Sequence, residues 1–163
     1  FTWFNRGLLL SELGYDKEAI ASYDKALDCA KGYYTGFRYR VWYHRGLALH
    51  RLGRYKQAIA NYEESLKYTK TYHRNLRYKV WYHRGLALQK LGLYREAISS
   101  YDRAMKYMHR YKRGWQPNGE NEIEIAEPQD CWYSLDNFWC NCLDKLQFVR
   151  LRYEEAIVSH NPS

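Results

Sequence analysis

The sequence has few cysteines, few prolines and no long apolar run. Four cysteines among 163 residues are too few for a disulfide-built scaffold, and three prolines exclude collagen-like or polyproline structure. No apolar run approaches the roughly 20 residues that span a bilayer, so we predict no membrane-spanning segment and no membrane partner. A Gly-rich phosphate loop, a nucleophile elbow and a paired carboxylate motif are also missing, so we predict neither enzymatic activity nor a cofactor.

Aromatic residues and positive charge are abundant, and the charge is unevenly placed. The chain has 18 Tyr, 6 Trp and a net charge of +8. Residues 1–113 carry a net charge of +14, whereas residues 114–163 carry −6. The chain therefore has a basic body and an acidic C-terminal piece.

An internal repeat determines the predicted fold, because repeated segments of this length form stacked arrays. Residues 38–50 read RYRVWYHRGLALH and residues 77–89 read RYKVWYHRGLALQ, with 11 of 13 positions identical at a spacing of 39. A further shift of 39 residues aligns Trp42 with Trp3. The same register holds for three Leu-Gly pairs, three Ala-Ile pairs and three tyrosines: Leu13-Gly14, Leu52-Gly53, Leu91-Gly92, Ala19-Ile20, Ala58-Ile59, Ala97-Ile98, Tyr23, Tyr62 and Tyr101.

Each copy contains two patterns that are typical of α-helices. In the second copy, Trp42, Gly46 and Leu49 follow helical spacing, and Leu52-Gly53 predicts the end of that helix. A second set at helical spacing follows, and it comprises Ala58, Ile59, Tyr62, Ser65 and Leu66. Each copy is therefore a helix hairpin that must stack on its neighbours to bury its apolar face.

The repeated pattern W-x3-G-x2-L-x2-L-G-x-Y-x2-A-I-x2-Y-x2-A-L resembles the tetratricopeptide repeat family over about residues 2–107. The resemblance is to bacterial, especially cyanobacterial, repeats. It implies an all-α, right-handed superhelical solenoid of antiparallel helix hairpins. Three repeats are predicted, at approximately residues 1–36, 37–75 and 76–112.

Two departures from the family pattern concern the junctions between repeats. The period is 39 rather than the family's usual 34, and the proline that often closes each repeat is missing. We therefore predict longer helices at the junctions, around residues 29–38 and 68–77.

The rest of the chain differs from the repeats in composition. Residues 113–130 contain two prolines and five carboxylates, which predicts an acidic loop or insertion. Residues 131–163 regain a helical pattern, and we predict that they form a degenerate fourth repeat or a C-terminal cap.

The resemblance also implies a site, because the first helix of each tetratricopeptide hairpin lines a concave groove. Groove positions recur at three- and four-residue steps. Those that combine amide, aromatic, imidazole and cationic side chains form the candidate peptide site, which comprises Asn5, Arg40, Tyr43, His44, Arg51, Lys79, Tyr82, His83 and Lys90. We expect the two histidines to titrate near pH 6.5 and to strengthen the binding of an acidic ligand as the pH falls.

One form of the family clamps the carboxylates of an acidic C-terminal peptide with Lys, Asn and Arg side chains. Asn5 and Lys79 agree with that clamp, whereas Phe1, His44 and His83 depart from it. The resemblance therefore implies an anion-attracting groove rather than this particular clamp.

A repeated arginine has two interpretations. Arg6, Arg45 and Arg84 are equivalent positions, and the acids Asp24, Glu63 and Asp102 are also equivalent. The arginines either contact a ligand or form internal ion pairs with the repeated acids. We predict ion pairs, which set the register between helices.

Metal binding is not predicted. His44 and His83 have no cysteine or carboxylate at ligand spacing, and the Cys140-x-Cys142 spacing is too short for a usual zinc knuckle. Cys131, Cys140 and Cys142 are predicted to be buried free thiols, which favours a reducing, cytoplasmic compartment.

These features predict a protein–protein interaction scaffold that binds an acidic peptide or protein segment and forms part of a larger multidomain protein. The alternative is a nucleic-acid-binding surface, because residues 37–113 carry a net charge of +15 interleaved with tyrosines. A third occupant of the groove is internal, since the acidic residues 120–130 have the opposite charge.

Overall fold

A computed structural model of the protein describes residues 2–30, 35–69, 74–114, 144–145, 147–152 and 154–155. These residues form six α-helices and no strand, followed by helical residues in the last three ranges. The helices are α1 (Thr2–Glu12), α2 (Asp16–Cys29), α3 (Thr35–Arg51), α4 (Tyr55–Tyr68), α5 (Arg74–Lys90) and α6 (Tyr94–Gly114).

Consecutive helices pair into three hairpins, and the hairpins stack in chain order. Helix α1 packs on α2, α3 on α4 and α5 on α6, while α2 packs on α3 and α4 on α5. The predicted all-α solenoid of helix hairpins is therefore confirmed. Within the described residues, no helix has the length and apolarity needed to cross a bilayer.

Glycine ends the first helix of every hairpin. Gly14, Gly53 and Gly92 have φ values of 82°, 74° and 74°, a left-handed conformation that glycine adopts without steric cost. In the second hairpin, the Gly53 amide donates to the His50 carbonyl at 3.0 Å and the Arg54 amide donates to the Leu49 carbonyl at 2.9 Å. These bonds satisfy the last carbonyls of α3 and turn the chain into α4.

A second set of glycines lets the two helices of each hairpin approach closely. A Cβ atom on Gly46 would lie only 2.6 Å from Cε1 of Tyr62, a ring that is completely buried. The same contact recurs in the other hairpins, between Gly7 and Tyr23 and between Gly85 and Tyr101. The sequence signal for close helix packing is thus explained by a buried tyrosine ring that contacts each glycine.

Each hairpin completes its core with residues from the next helix along the chain. The core of the first hairpin contains Val41 and Ala48 of α3, and that of the second contains Val80 and Ala87 of α5. The core of the third contains Val149 from the C-terminal helical residues. Stacking therefore supplies the burial that a single hairpin lacks.

Helices α3 and α5 begin within the predicted junctions, of which residues 31–34 and 70–73 lie outside the described residues. Helices α3 and α5 have 17 residues each, whereas α2 and α4 have 14. Near the start of these long helices, the guanidinium of Arg38 lies 4.7 Å from the ring centre of Tyr68, and that of Arg77 lies 4.9 Å from Tyr107. Arginine–tyrosine contacts thus attach each extension to the second helix of its hairpin.

The prediction for the C-terminal third of the chain is only partly within the described residues. Helix α6 continues to Gly114, and residues 115–130 of the predicted acidic loop lie outside the described part. In the C-terminal piece, Val149 is buried against Leu88 and Tyr101. The division into three repeats, a loop and a degenerate fourth repeat or cap stays a prediction.

Candidate functional site

Helices α1, α3 and α5 form the inner layer of the stack. Among the described residues, α1 contacts α3 and α3 contacts α5, whereas the second helices make no comparable contact with one another. Because the first helices are closer together, they lie on the concave side of the array. All nine residues of the candidate site lie on these three helices.

The repeated arginines face away from that layer and connect neighbouring hairpins. The Arg45 Nε donates to Asp24 Oδ1 at 2.8 Å, and its Nη1 donates to Asn61 Oδ1 at 2.9 Å. Each arginine thus bonds an acid on the preceding hairpin and a polar side chain on its own second helix. We call this arrangement the arginine clasp.

The arginine clasp recurs one repeat later and is incomplete at the first repeat. Arg84 Nη2 donates to Glu63 Oε1 at 2.8 Å, and its Nη1 donates to Ser100 Oγ at 2.7 Å. The Arg6 Nη1 donates to Ser22 Oγ at 3.0 Å, without an acid partner among the described residues. The ion-pair interpretation is therefore correct for Arg45 and Arg84, with the acid supplied by the preceding repeat.

Aromatic and histidine rings form a continuous series across the inner layer. Phe4 contacts His44 with ring centres 5.4 Å apart, and the equivalent contact one repeat later joins Tyr43 to His83 at 5.8 Å. Tyr82 extends the series, with its ring centre 5.4 Å from His83. This ring series, comprising Phe4, Tyr43, His44, Tyr82 and His83, brings four of the predicted site residues together.

The two tyrosines of the ring series differ in accessibility, and Tyr43 is less accessible than the sequence suggested. Tyr43 is only 6% exposed, so it supports the histidine rings more than it offers a face to a ligand. Its burial also raises the pKa of its hydroxyl. Tyr82 is half-buried, so it offers a ligand more ring surface than Tyr43 does.

The histidines are uncharged at neutral pH. Burial lowers the pKa of His44 to about 4, with Arg40 and Lys79 adding to the effect. Burial likewise lowers the pKa of His83 to about 4, assisted by His50 and Lys79. The expectation that this pair titrates near pH 6.5 is therefore wrong, because their surroundings are apolar and positively charged.

The cations of the site form two rows at opposite ends of the helices. The first row, Arg40 and Lys79, lies one helical turn before the histidines, and both side chains are exposed. The second row, Arg51 and Lys90, lies at the C-terminal ends of α3 and α5. Asn5 is exposed on α1, at the position equivalent to His44.

One predicted site residue has an internal partner that the sequence did not reveal. The Arg51 Nη2 lies 2.6 Å from Oδ1 of Asp16, a buried carboxylate, and the same nitrogen also donates to Ser11 Oγ. The available signal was the first repeat's Tyr15-Asp16, where the other repeats have a basic or apolar residue followed by tyrosine. A carboxylate at that turn is thus neutralised by an arginine of the next hairpin.

His50 also belongs to this surface, at one of the groove positions that the helical spacing predicts. Its ring lies 5.1 Å from Tyr55, and burial together with Lys90 and Arg51 lowers its pKa. It lies seven residues after Tyr43, a spacing that returns to nearly the same face of the helix.

No metal site is found among the described residues, since no three His, Cys, Asp or Glu side chains there converge on one point. Cys29 is a free, exposed thiol. The cysteines at positions 131, 140 and 142 lie outside the described residues.

Comparison with family models agrees with the repeat register. Models described as tetratricopeptide repeat match residues 2–31, 39–68 and 78–111, which together exceed half of the chain. The chain belongs to the tetratricopeptide repeat family. The family consists of solenoids that present extended concave surfaces to their partners, which supports a protein–protein interaction scaffold.

Solved tetratricopeptide structures share the fold at low sequence identity. The first tetratricopeptide domain of Spaghetti (RPAP3), bound to the HSP90 peptide SRMEEVD, is 17% identical, with a TM-score of 0.64 over 94% of this chain and 91% of that chain. The Sgt2 domain from Aspergillus fumigatus is 18% identical, with a TM-score of 0.63 over 99% and 83%.

A third similar structure is the complex of the TPR2AB domain of yeast Sti1 with pHSP90. It is 18% identical, with a TM-score of 0.65, and covers 99% of this chain and 50% of that chain. No curated protein matches the chain at a significant level. The likeness to these tetratricopeptide structures is therefore one of fold.

Proposed function

We propose that this tetratricopeptide array binds an acidic peptide or protein segment across its inner layer, as part of a larger multidomain protein. The observation that carries the proposal is the first cationic row. Arg40 and Lys79 are exposed, have no acidic partner among the described residues, and lie beside the ring series. Unpaired cations next to aromatic rings attract anionic partners and anchor them.

The similar structures support a peptide partner. The RPAP3 structure holds a peptide, SRMEEVD, that is itself acidic. This chain keeps Asn5 and Lys79 at two clamp positions but has neutral histidines at two others. Its partner is therefore an acidic segment recognised by unpaired cations and rings, without the complete carboxylate clamp.

A nucleic-acid partner is the second candidate, because residues 37–113 carry a net charge of +15. Stacking of bases requires accessible ring faces. In the ring series, Tyr43 is buried and its ring contacts His83 edge-to-face, so that face is not offered to a base. Ring geometry thus favours a peptide over a single strand.

Three finer predictions remain untested by the fold and the comparisons. Docking of residues 120–130 on the groove stays a prediction, and that segment lies outside the described residues. The cytoplasmic location and bacterial origin stay predictions in the same way. The prediction that the chain is not an enzyme agrees with the interaction role of its family.

The experiment compares ligands at two salt concentrations. Fluorescence anisotropy measures binding of an acidic peptide, a neutral peptide and a single-stranded oligonucleotide at about 50 and 200 mM salt. We expect the acidic peptide to bind at both concentrations, because it uses few charges plus ring contacts. Sub-micromolar oligonucleotide binding at about 200 mM salt, with no acidic-peptide binding, would overturn the proposal.

A further inference from the structure

The two cationic rows of the inner layer differ in whether nearby acids neutralise their charge. On each helix the rows are 11 residues apart, which corresponds to about 16 Å along the axis. A ligand that crosses the inner layer along the helices therefore meets one row at each end of the ring series.

The second row is compensated by nearby acids. Arg51 is held by Asp16, and the equivalent position on α1 is the exposed acid Glu12. Only Lys90 remains without an acidic partner in the described part of this row. The charges of Glu12, Asp16, Arg51 and Lys90 sum to zero, so this end attracts an anion weakly.

The first row has no such compensation. Helices α3 and α5 contain no acidic residue at all, so Arg40 and Lys79 have no carboxylate on their own helices. Arg40 and Lys79 occupy equivalent positions on α3 and α5, and these two helices contact each other, so the two charges lie on neighbouring hairpins of the same surface. Two unneutralised cations from neighbouring hairpins make a local anion site.

We infer that the groove has a single anion subsite, formed by Arg40 and Lys79, and that it selects peptides whose acidic residues are clustered at one end. This inference rests on the proposed function. The rest of the peptide crosses the neutral ring series, where His44 and His83 offer rings rather than charge. A peptide with its acids spread along its length places some carboxylates over those rings. These carboxylates lose hydration there and gain no contact with a cation, so binding is weaker.

The test uses two labelled peptides of identical composition and about nine residues, a length that exceeds the ~16 Å between the rows. One has its three Glu at one end, and the other has them evenly spread. We expect the clustered peptide to bind at least about tenfold more tightly to the wild-type chain at 150 mM salt.

Two double variants with equal charge loss separate a local subsite from general attraction. Arg40→Gln/Lys79→Gln removes the subsite, while Lys17→Gln/Lys56→Gln removes two exposed cations from the second helices. We expect the first variant to lose the tenfold preference and the second to keep it. A swapped variant, Arg40→Lys/Lys79→Arg, keeps both charges and is expected to keep the preference.

Single variants compare the two rows directly. Lys79→Gln is expected to weaken clustered-peptide binding more than Lys90→Gln does, although both remove one exposed lysine from an inner-layer helix. Circular dichroism and the thermal midpoint verify that each variant folds as the wild type does.

The outcomes are distinguishable from failure of the proposed function. Equal affinity for both peptides, or equal losses in the two double Gln variants, would overturn the single subsite while leaving acidic-peptide binding intact. If neither acidic peptide binds the wild-type chain, the proposed function and the subsite both fail.

Discussion

Helices α3 and α5 each carry two cations that differ in whether an acid pairs with them. On α3, Arg40 and Arg45 are five residues apart, and on α5, Lys79 and Arg84 have the same spacing. Arg45 and Arg84 are clasped by acids 2.8 Å away, whereas Arg40 and Lys79 have no acid in reach among the described residues. The acids on the second helices determine which cations stabilise the stack and which remain available to a ligand.

The difference follows from helix geometry. Five residues are more than one turn of an α-helix but less than two, so the two side chains point in different directions around its axis. The clasp arginines face the preceding hairpin, and the first row faces the inner surface. The acids Asp24 and Glu63 are on second helices, and each reaches the clasp arginine of the next hairpin. The first-row cations therefore have no acid in reach among the described residues, whereas Arg51 of the second row is neutralised by Asp16.

The largest expected effect concerns acid stability and the histidines of the inner surface. Because the native pKa of His44 and His83 is about 4, below the ordinary value of about 6.5, the unfolded chain binds more protons between these values. Stability should therefore fall as the pH drops through that window, by on the order of 3 kcal/mol from pH 7 to pH 5. Urea unfolding at several pH values measures the change.

The double variant His44→Phe/His83→Phe provides the control for this pH dependence. It retains rings at both positions but cannot titrate, so its stability should vary less between pH 7 and pH 5. If stability varied with pH in the double variant as it does in the wild type, the pKa values of His44 and His83 would not be lowered by their surroundings. The inner surface would then not differ in this respect from the face that carries the arginine clasp.

The next effect concerns the interior of the hairpins. Gly85→Ala places a Cβ about 2.6 Å from the buried ring of Tyr101, so the two helices must move apart. We expect a loss of about 2 kcal/mol in the free energy of unfolding. Thermal and urea unfolding provide the measurement.

Gly92→Ala is the matched change at the turn. Nothing lies within 4 Å of a Cβ there, and only the positive φ of 74° opposes the substitution. The cost should be about 1 kcal/mol, from backbone strain alone. A cost for Gly92→Ala larger than that for Gly85→Ala would contradict the close-packing explanation.

The smallest effect compares the arginine clasp with the first cationic row. Arg84→Ala removes bonds to Glu63 and Ser100 from a side chain that is only 19% exposed, so stability should fall by about 1 kcal/mol. Lys79→Ala should leave stability within about 0.5 kcal/mol and weaken acidic-peptide binding instead. Unfolding and anisotropy measurements on both variants give the comparison.

Arg6→Ala tests the role of the acid in the arginine clasp. Arg6 bonds Ser22 but lacks an acid from a preceding hairpin in the described structure, so its removal should cost less than that of Arg84. If Arg84→Ala weakened peptide binding more than it lowered stability, the clasp arginine would be a ligand residue.

The sequence repeat predicted some contacts of the candidate site and failed to predict others. The 39-residue register placed equivalent residues side by side, so the meeting of Tyr43, His44, Tyr82 and His83 could be foreseen. The burial of Tyr43 and the ion pair between Arg51 and Asp16 could not be foreseen, because each depends on contacts between non-equivalent positions of two hairpins. Spacing within one helix predicts the helix face on which a residue lies, but it does not predict which side chain of another hairpin packs against that residue.

The sequence by itself determined the hairpins, their turns and their stacking period. Helical spacing, a left-handed glycine after each Leu and a glycine opposite each tyrosine are local properties, and they act within about 20 residues. Only the tertiary structure decided which charges are free. Ion pairing depends on which second helix packs against which first helix, and that packing joins side chains 21 to 35 positions apart in the chain.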